Sequence, residues 1–253
     1  MNQLICMNLE NNIGVNKFEH IYVFGCSHSL STNSIDNTCK TYSQVIADKL
    51  GISHSNVYNY AINGSSNFEN LYYLNCINSE LSFYHSSDDK RNNLYGAPLP
   101  KKIYDNSLII FQLTYWTRNV FQHTIQKIND EYELIPLSPY REYEDDDITQ
   151  LNNTYYKKLS NQEYLQRNSI LPIYHTCKAI SLERPNVSTM LLSWDRIMSD
   201  NIENYVKPEL SNIQQLSIEN RWTCDSKIFN NDMHLSPIGN EEFGEYLMKF
   251  ITN

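Results

Sequence analysis

One serine, one aspartate and one histidine in this chain are placed to work as an acyl-transfer unit. Ser27 lies in His20-Ile21-Tyr22-Val23-Phe24-Gly25-Cys26-Ser27-His28-Ser29, where a short apolar strand (Ile21 to Phe24) runs into a Gly-Cys-Ser turn. A serine hydroxyl is a poor nucleophile until an imidazole accepts its proton, and that imidazole needs an acceptor behind it. Asp232-Met233-His234, just ahead of the last helical pattern, supplies both partners. Two residues apart on one loop, they can reach the same edge together. The order Ser…Asp…His is also that of the α/β-hydrolases, but their elbow reads Gly-x-Ser-x-Gly, and here Ser29 fills the second glycine position.

Several neighbours bear on the same chemistry. Gly64, at a strand-to-helix turn, can offer its backbone N–H to an oxyanion. Arg118 is a candidate for holding an anionic or carbonyl group, or for pairing with a surface acid. Cys26 is an alternative thiol nucleophile, although a side chain at that point of the turn is expected to face the core. His28 follows the nucleophile and is expected to point away from it. The aromatic residues Tyr115, Trp116, Tyr140, Tyr143, Tyr155 and Tyr156 could stack on sugar rings or simply pack beneath a long loop.

The elements that must carry these residues alternate between strand and helix. Tyr42, Val45, Ile46 and Leu50 recur at helical spacing and stop at Gly51. Asn56 to Ile62 reads as a second strand. Ser66-Asn67-Phe68-Glu69 matches a capping box opening a helix whose apolar face is expected to be Phe68, Leu71, Tyr72 and Cys76. Ser107 to Thr114 is apolar enough for a central strand buried on both faces. Val187 to Trp194 is a fourth strand, and a fifth is expected around Lys227 to Phe229. Ser236-Pro237 opens a closing helix that should bury Phe243, Leu247, Phe250 and Ile251. Residues 115–160 break the rhythm with an acidic run (Glu142 to Asp147) and a hairpin expected around Glu131 to Leu137, and read as an insertion or cap. The expectation is a single domain over residues 1–253, a three-layer α/β/α sandwich on a mostly parallel sheet of about five strands. Ser27 then falls at the carboxyl end of the first strand, where open α/β sheets bind their ligands.

Composition narrows the function classes. With 253 residues and 41% hydrophobic content the chain can bury a sizeable core. A net charge of −9 without a cluster of basic residues argues against a nucleic-acid partner. The six cysteines are scattered without a CxxC pair, which fits reduced thiols in a cytoplasmic setting. The amino terminus lacks the pattern of a signal peptide, and no apolar run is long enough for a membrane span. No histidine and carboxylate cluster has ligand spacing, so neither a metal nor another cofactor is implied.

In sum these blocks resemble the SGNH/GDSL hydrolase superfamily, in a variant with Gly25-Cys26-Ser27-His28-Ser29 as its first block. The second block is Asn59-Tyr60-Ala61-Ile62-Asn63-Gly64-Ser65-Ser66-Asn67, and the last is Asp232-Met233-His234-Leu235-Ser236-Pro237-Ile238-Gly239. The resemblance covers nearly the whole chain and implies a flavodoxin-like sheet with Ser27 as nucleophile, His234 as base and Asp232 as the acid orienting it. Two departures stand out. The commoner Asp-x-x-His spacing would put Asn231 in the acid's place, while Asp-x-His is similar to relatives that include polysaccharide O-acetyltransferases. The third block has Gln112-Leu113-Thr114-Tyr115-Trp116-Thr117-Arg118 where Gly-x-Asn is usual. Its Thr-x-x-x-Arg is similar to relatives with the Gly-Cys-Ser turn, which makes Thr114 and Arg118 polar lining. The third oxyanion donor would then be Asn67 or Thr114.

The function implied is a serine ester hydrolase acting on a small-molecule or glycan ester, with an O-acetyl group as one candidate. An O-acyltransferase to a glycan would use the same triad. A non-catalytic binding or structural module on the same fold is the third reading.

Overall fold

The computed structural model describes residues 5–7, 18–30, 40–62, 65–81, 99–114, 119–128, 131–137, 146–158, 162–193, 213–214 and 234–251. In chain order the elements are β1 (Ile5–Met7), β2 (His20–Phe24), α1 (Tyr42–Leu50), β3 (Val57–Asn59), α2 (Asn67–Asn78), β4 (Ser107–Leu113), β5 (Asn119–Ile128), β6 (Glu131–Leu137), α3 (Asp146–Lys158), α4 (Gln162–Glu183), β7 (Val187–Ser193), β8 (Ile213–Gln214) and α5 (Pro237–Ile251).

The sheet order is β3-β2-β4-β7-β1-β8. Its first four strands are mutually parallel, with Ile21 opposite Val57 and Leu108, and Ile109 opposite Thr189. This is the flavodoxin-like order, in which the chain leaves β2 toward one edge and returns across it to β4. The parallel part has one strand fewer than expected. Beyond β7 the short strands β1 and β8 pair antiparallel instead. The expected strand at Lys227 to Phe229 lies outside the described residues.

Strand alternation sorts the core into two layers, one on each sheet face. Tyr22, Phe24, Ile109, Phe111 and Leu191 face α2 and α4, packing on Tyr73, Leu74, Ile77, Ile173, Tyr174 and Cys177. Ile21, Val23, Leu108, Ile110, Met190 and Leu192 face α1 and α5, packing on Tyr42, Ile46, Phe243 and Leu247. The fold is therefore a three-layer α/β/α sandwich. All seven residues of β4 are buried, as a central strand covered on both faces must be. Among the described residues no helix is long and apolar enough to cross a membrane.

The α2/α4 face is rich in aromatic rings. Phe24 stacks on Tyr60 at 5.1 Å and on Phe111 at 5.9 Å between ring centroids. The Tyr22 hydroxyl donates to Lys102 O (2.9 Å) and accepts from Tyr104 N (3.0 Å), and the Tyr60 hydroxyl donates to Pro100 O. Burial raises the pKa of both phenols, so they remain protonated donors. Burial likewise pushes the Cys177 thiol up to about 12, leaving it an inert core group.

Local signals place several helix ends. The Thr41 side chain and Gln44 close a capping box at the start of α1, and Gly51 ends it at φ 70°. Ser66 caps α2 by accepting from Glu69 N (3.1 Å), while the Glu69 carboxylate accepts from the Tyr73 hydroxyl (3.2 Å). The buried face of α2 corrects the expectation. Tyr73, Leu74, Cys76 and Ile77 are inside, Phe68 and Leu71 are half-buried, and Tyr72 is 42% exposed. The bonds of Asn67 to the Thr114 backbone turn the amino end of the helix toward β4, and apolar spacing does not reveal them. In α5, Phe243 and Leu247 are buried, whereas Phe250 and Ile251 are only half-buried. α4 was not expected at all, although Ile170, Ile173, Tyr174, Cys177 and Ile180 follow helical spacing. Pro172 inside it reads as a breaker in the sequence.

Within the interval 115–160, β5 and β6 form a separate two-stranded antiparallel sheet, with a register irregularity between His123 and Lys127. β6 coincides with the expected hairpin segment. Of the aromatic cluster, Tyr155 and Tyr156 fall on α3, and Tyr115, Trp116, Tyr140 and Tyr143 lie outside the described residues.

Gly51 offers a clean test of the cap. A Cβ there meets nothing within 4 Å, so the penalty of Gly51→Ala is purely that of the left-handed backbone. The variant should lose about 1–2 kcal/mol of stability, read from urea denaturation, with no change in any activity.

Candidate functional site

The chain's direction across the sheet reverses between β2 and β4, and the carboxyl ends of those neighbouring strands carry Ser27 and Thr114. Open α/β sheets bind ligands at such a switch point. Ser27 opens a single 3-10 turn, Ser27–Ser29, closed by Ser29 N to Cys26 O (2.9 Å) and Leu30 N to Ser27 O (3.1 Å). Its residue exposure is 7%, small but not zero.

The turn is held from three sides. From β4, Gln112 Oε1 accepts from Cys26 N (3.0 Å), Cys26 Sγ (3.5 Å) and Ser29 Oγ (3.1 Å), while Gln112 Nε2 donates to Leu113 O (2.8 Å). From the end of β3 and the segment after it, Asn59 Nδ2 donates to Ser29 O (2.8 Å), Ser65 Oγ donates to Gly25 O (2.7 Å), and Ile62 N donates to Gly25 O (3.1 Å). From α1, the Tyr42 hydroxyl meets Ser29 Oγ at 2.7 Å. Gly25 is required by this closeness. A Cβ on it would stand 2.6 Å from Gln112 Oε1 and 2.7 Å from Ser29 Oγ.

Cys26 is fully buried against Gln112, in line with the inward orientation expected of it and against a role as nucleophile. The His28 side chain lies outside the described residues. In the sequence Gln112 stands out as a departure from Gly-x-Asn. A polar side chain within an otherwise apolar, buried strand was the signal that it holds something.

Asn67 and Thr114 are brought together. Asn67 Oδ1 accepts from Thr114 N (2.7 Å) and Asn67 Nδ2 donates to Thr114 O (3.2 Å), so the carboxamide clamps the first turn of α2 to the end of β4. Both residues are buried. Thr114 Oγ1 is itself buried and has no hydrogen-bond partner among the described residues. Of the two candidate donors, Thr114 has its hydroxyl uncommitted, whereas one N–H of Asn67 is already bound to backbone.

His234 arrives on the same edge through α5. That helix and α1 run side by side in one direction, with contacts at Tyr42–Asn240, Val45–Gly244 and Lys49–Glu245. Both amino ends therefore sit at the carboxyl end of the sheet. Ser236 Oγ caps α5 by accepting from Gly239 N (3.0 Å). Both ring nitrogens of His234 are buried, and no hydrogen bond joins its ring to the Ser27 hydroxyl. Asp232, its alternative Asn231, Gly64 and Arg118 lie outside the described residues. Among the described residues no group of histidine, cysteine and carboxylate side chains could hold a metal ion.

Two substitutions test the clamp on the serine turn. Gly25→Ala should cost about 1–3 kcal/mol by overpacking. Gln112→Glu replaces the donor to Leu113 O with a carboxylate oxygen and should cost at least as much, since a buried acceptor left unsatisfied is worth about 1–3 kcal/mol. Chemical denaturation measures both. Wild-type stability in both variants would mean that Gln112 does not hold the turn. No protein-family model matches this chain, and no curated protein matches it.

Proposed function

We propose that the protein is a serine ester hydrolase of the SGNH/GDSL kind, with Ser27 as nucleophile and His234 as base. The observation that carries the reading is the placement of Ser27. It stands in a rigidly held turn at the carboxyl end of β2, at the switch point of the sheet, and α5 delivers a histidine to the same edge.

The chemistry follows from these groups. His234 takes the Ser27 proton as Oγ bonds to the ester carbonyl carbon. The carbonyl electron pair moves to oxygen, where the Ser27 and Gly64 backbone N–H groups and the Thr114 hydroxyl are the donors proposed to hold it. The imidazolium then gives its proton to the departing alcohol as the ester C–O bond breaks. Water, activated by the same imidazole, releases the acyl group from Ser27. Asp232 is assigned to the other ring nitrogen of His234, where a carboxylate stabilises the imidazolium and an amide does not.

A non-catalytic module on the same fold is the second reading. Its support is the third block, where Gln112-Leu113-Thr114 stands in place of the usual Gly-x-Asn and the Gln112 carboxamide is committed to the serine turn and to Leu113 O. The esterase reading is preferred because Thr114 brings an uncommitted hydroxyl to the same edge among the described residues. Transfer of the acyl group to a sugar hydroxyl would use the same residues, with the sugar in place of water.

Covalent labelling of the purified protein with a fluorophosphonate should modify Ser27, mapped by mass spectrometry. Ser27→Ala should abolish both labelling and p-nitrophenyl acetate hydrolysis while keeping the fold. Hydrolysis by Ser27→Ala at the wild-type rate would sink the assignment, and absence of labelling would favour the module. Product formation on added sugars would identify a transferase.

The acid partner has its own test. Asp232→Asn should lower kcat by as much as ~10,000-fold, the loss seen when a triad acid becomes an amide. Asn231→Ala should change it far less. The reverse pattern would move the acid's place to residue 231 and leave Ser27 and His234 as a dyad.

A further inference from the structure

We propose that Tyr42 and Asn240 are positioning residues that set the separation between the serine turn and the histidine turn; the inference rests on the esterase reading of Ser27 and His234. A continuous buried path joins the two turns. Gln112 Oε1 accepts from Ser29 Oγ (3.1 Å), and Ser29 Oγ meets the Tyr42 hydroxyl (2.7 Å). Tyr42 N donates to Asn240 Oδ1 (3.0 Å), and Asn240 Nδ2 donates to Leu235 O and Ser236 O (3.2 Å each). Leu235 follows His234 directly.

The direction of every bond in this path is fixed by its ends. Gln112 must present oxygen to the Cys26 N–H and nitrogen to Leu113 O, because a backbone N–H only donates and a carbonyl only accepts. Ser29 therefore gives its single proton to Gln112, and the Tyr42 hydroxyl must donate to Ser29. Asn240 is fixed in the same way, since Tyr42 N needs its oxygen and two carbonyls need its nitrogen. Neither residue has an alternative arrangement of equal quality.

The backbones at this contact cannot drift closer. A Cβ on Gly244 would lie 2.7 Å from Val45 Cβ and 2.9 Å from Tyr42 O, so α5 already rests on α1. The Tyr42 ring packs edge-on against Phe243 at 5.1 Å. Steric contact limits the approach of the helices, and the polar path fixes their register. By contrast the Lys49–Glu245 ion pair between the same helices is half-exposed and contributes little.

Tyr42→Phe removes the hydroxyl link and keeps the ring, and Asn240→Asp keeps the shape but loses the donor to both carbonyls. Each is compared with wild type, with Ser27→Ala, and with Lys49→Met as a control at the same helix pair. The readouts are p-nitrophenyl acetate kinetics, circular dichroism and the His234 ring NMR signals followed across pH. A misplacement of the base by about 1 Å should lower kcat by roughly 10- to 100-fold with KM nearly unchanged, and the His234 signals should move. Lys49→Met should leave both as in wild type. Kinetics and His234 signals unchanged in Tyr42→Phe, even with a lowered melting temperature, would overturn the proposal. If Asn240→Asp does not fold, Tyr42→Phe decides alone. If wild type shows no turnover that depends on Ser27, the esterase reading fails separately, and the His234 signals decide the positioning role. Signals that move in Tyr42→Phe support it, and unmoved signals overturn it.

Discussion

The Gln112 side chain is the constraint on which the rest of the site depends. It rises from the central strand into the one place where the chain leaving β2 must turn. Its oxygen collects the Cys26 amide, the Cys26 thiol and the Ser29 hydroxyl, and its nitrogen is tied back to Leu113 O. These donors are buried, so without that oxygen the Cys26 amide would lose its partner and the Ser29 hydroxyl would keep only Tyr42. Gly25 follows from the same constraint, because any Cβ there would collide with the carboxamide. The turn carrying Ser27 is thus shaped by a neighbouring strand more than by its own residues.

The same device recurs along the carboxyl edge of the sheet. Asn59 binds Ser29 O and Ala61 N, Asn67 binds both backbone groups of Thr114, and Asn240 joins α1 to the segment after His234. A carboxamide is suited to this work because it offers a donor and an acceptor on one rigid plane. Loops at this edge cannot complete a sheet ladder or a helix, so their backbone groups need side-chain partners. Buried amides supply them without adding charge of their own, and the described part of the edge becomes rigid. A site whose task is to orient a serine and a histidine benefits from that rigidity, since positional error costs rate steeply.

The α2/α4 face of the sheet uses polar groups differently. There tyrosines replace aliphatic residues, filling volume with their rings and fixing the loop over residues 99–106 with their hydroxyls. The 19 tyrosines of this chain are thus partly a structural solution, serving packing and loop anchoring at once. These loop-anchoring tyrosines are a different set from the aromatic cluster of residues 115–156 that the sequence offers for stacking on sugar rings, most of which lies outside the described residues.

By itself the sequence determined the parallel strands β2, β3, β4 and β7, the helices α1, α2 and α5, and the position of Ser27 at a strand's carboxyl end. These rest on local signals: apolar runs, helical spacing, a capping serine and a stop glycine. It missed α4, whose helical spacing is interrupted by Pro172, and β1, because a strand of three residues has no pattern to read. It misjudged the buried face of α2, where Asn67 is turned inward to the Thr114 backbone against the apolar count. Only the tertiary structure decided that Gln112 holds the serine turn, that Asn67 grips Thr114, and that Tyr42 and Asn240 join the two halves of the site. Those contacts link residues far apart in the chain, from 47 positions for Asn67 and Thr114 to 198 for Tyr42 and Asn240. A hydrogen bond across such a separation leaves no periodicity or spacing behind, so the folded sheet alone can show which amide meets which backbone.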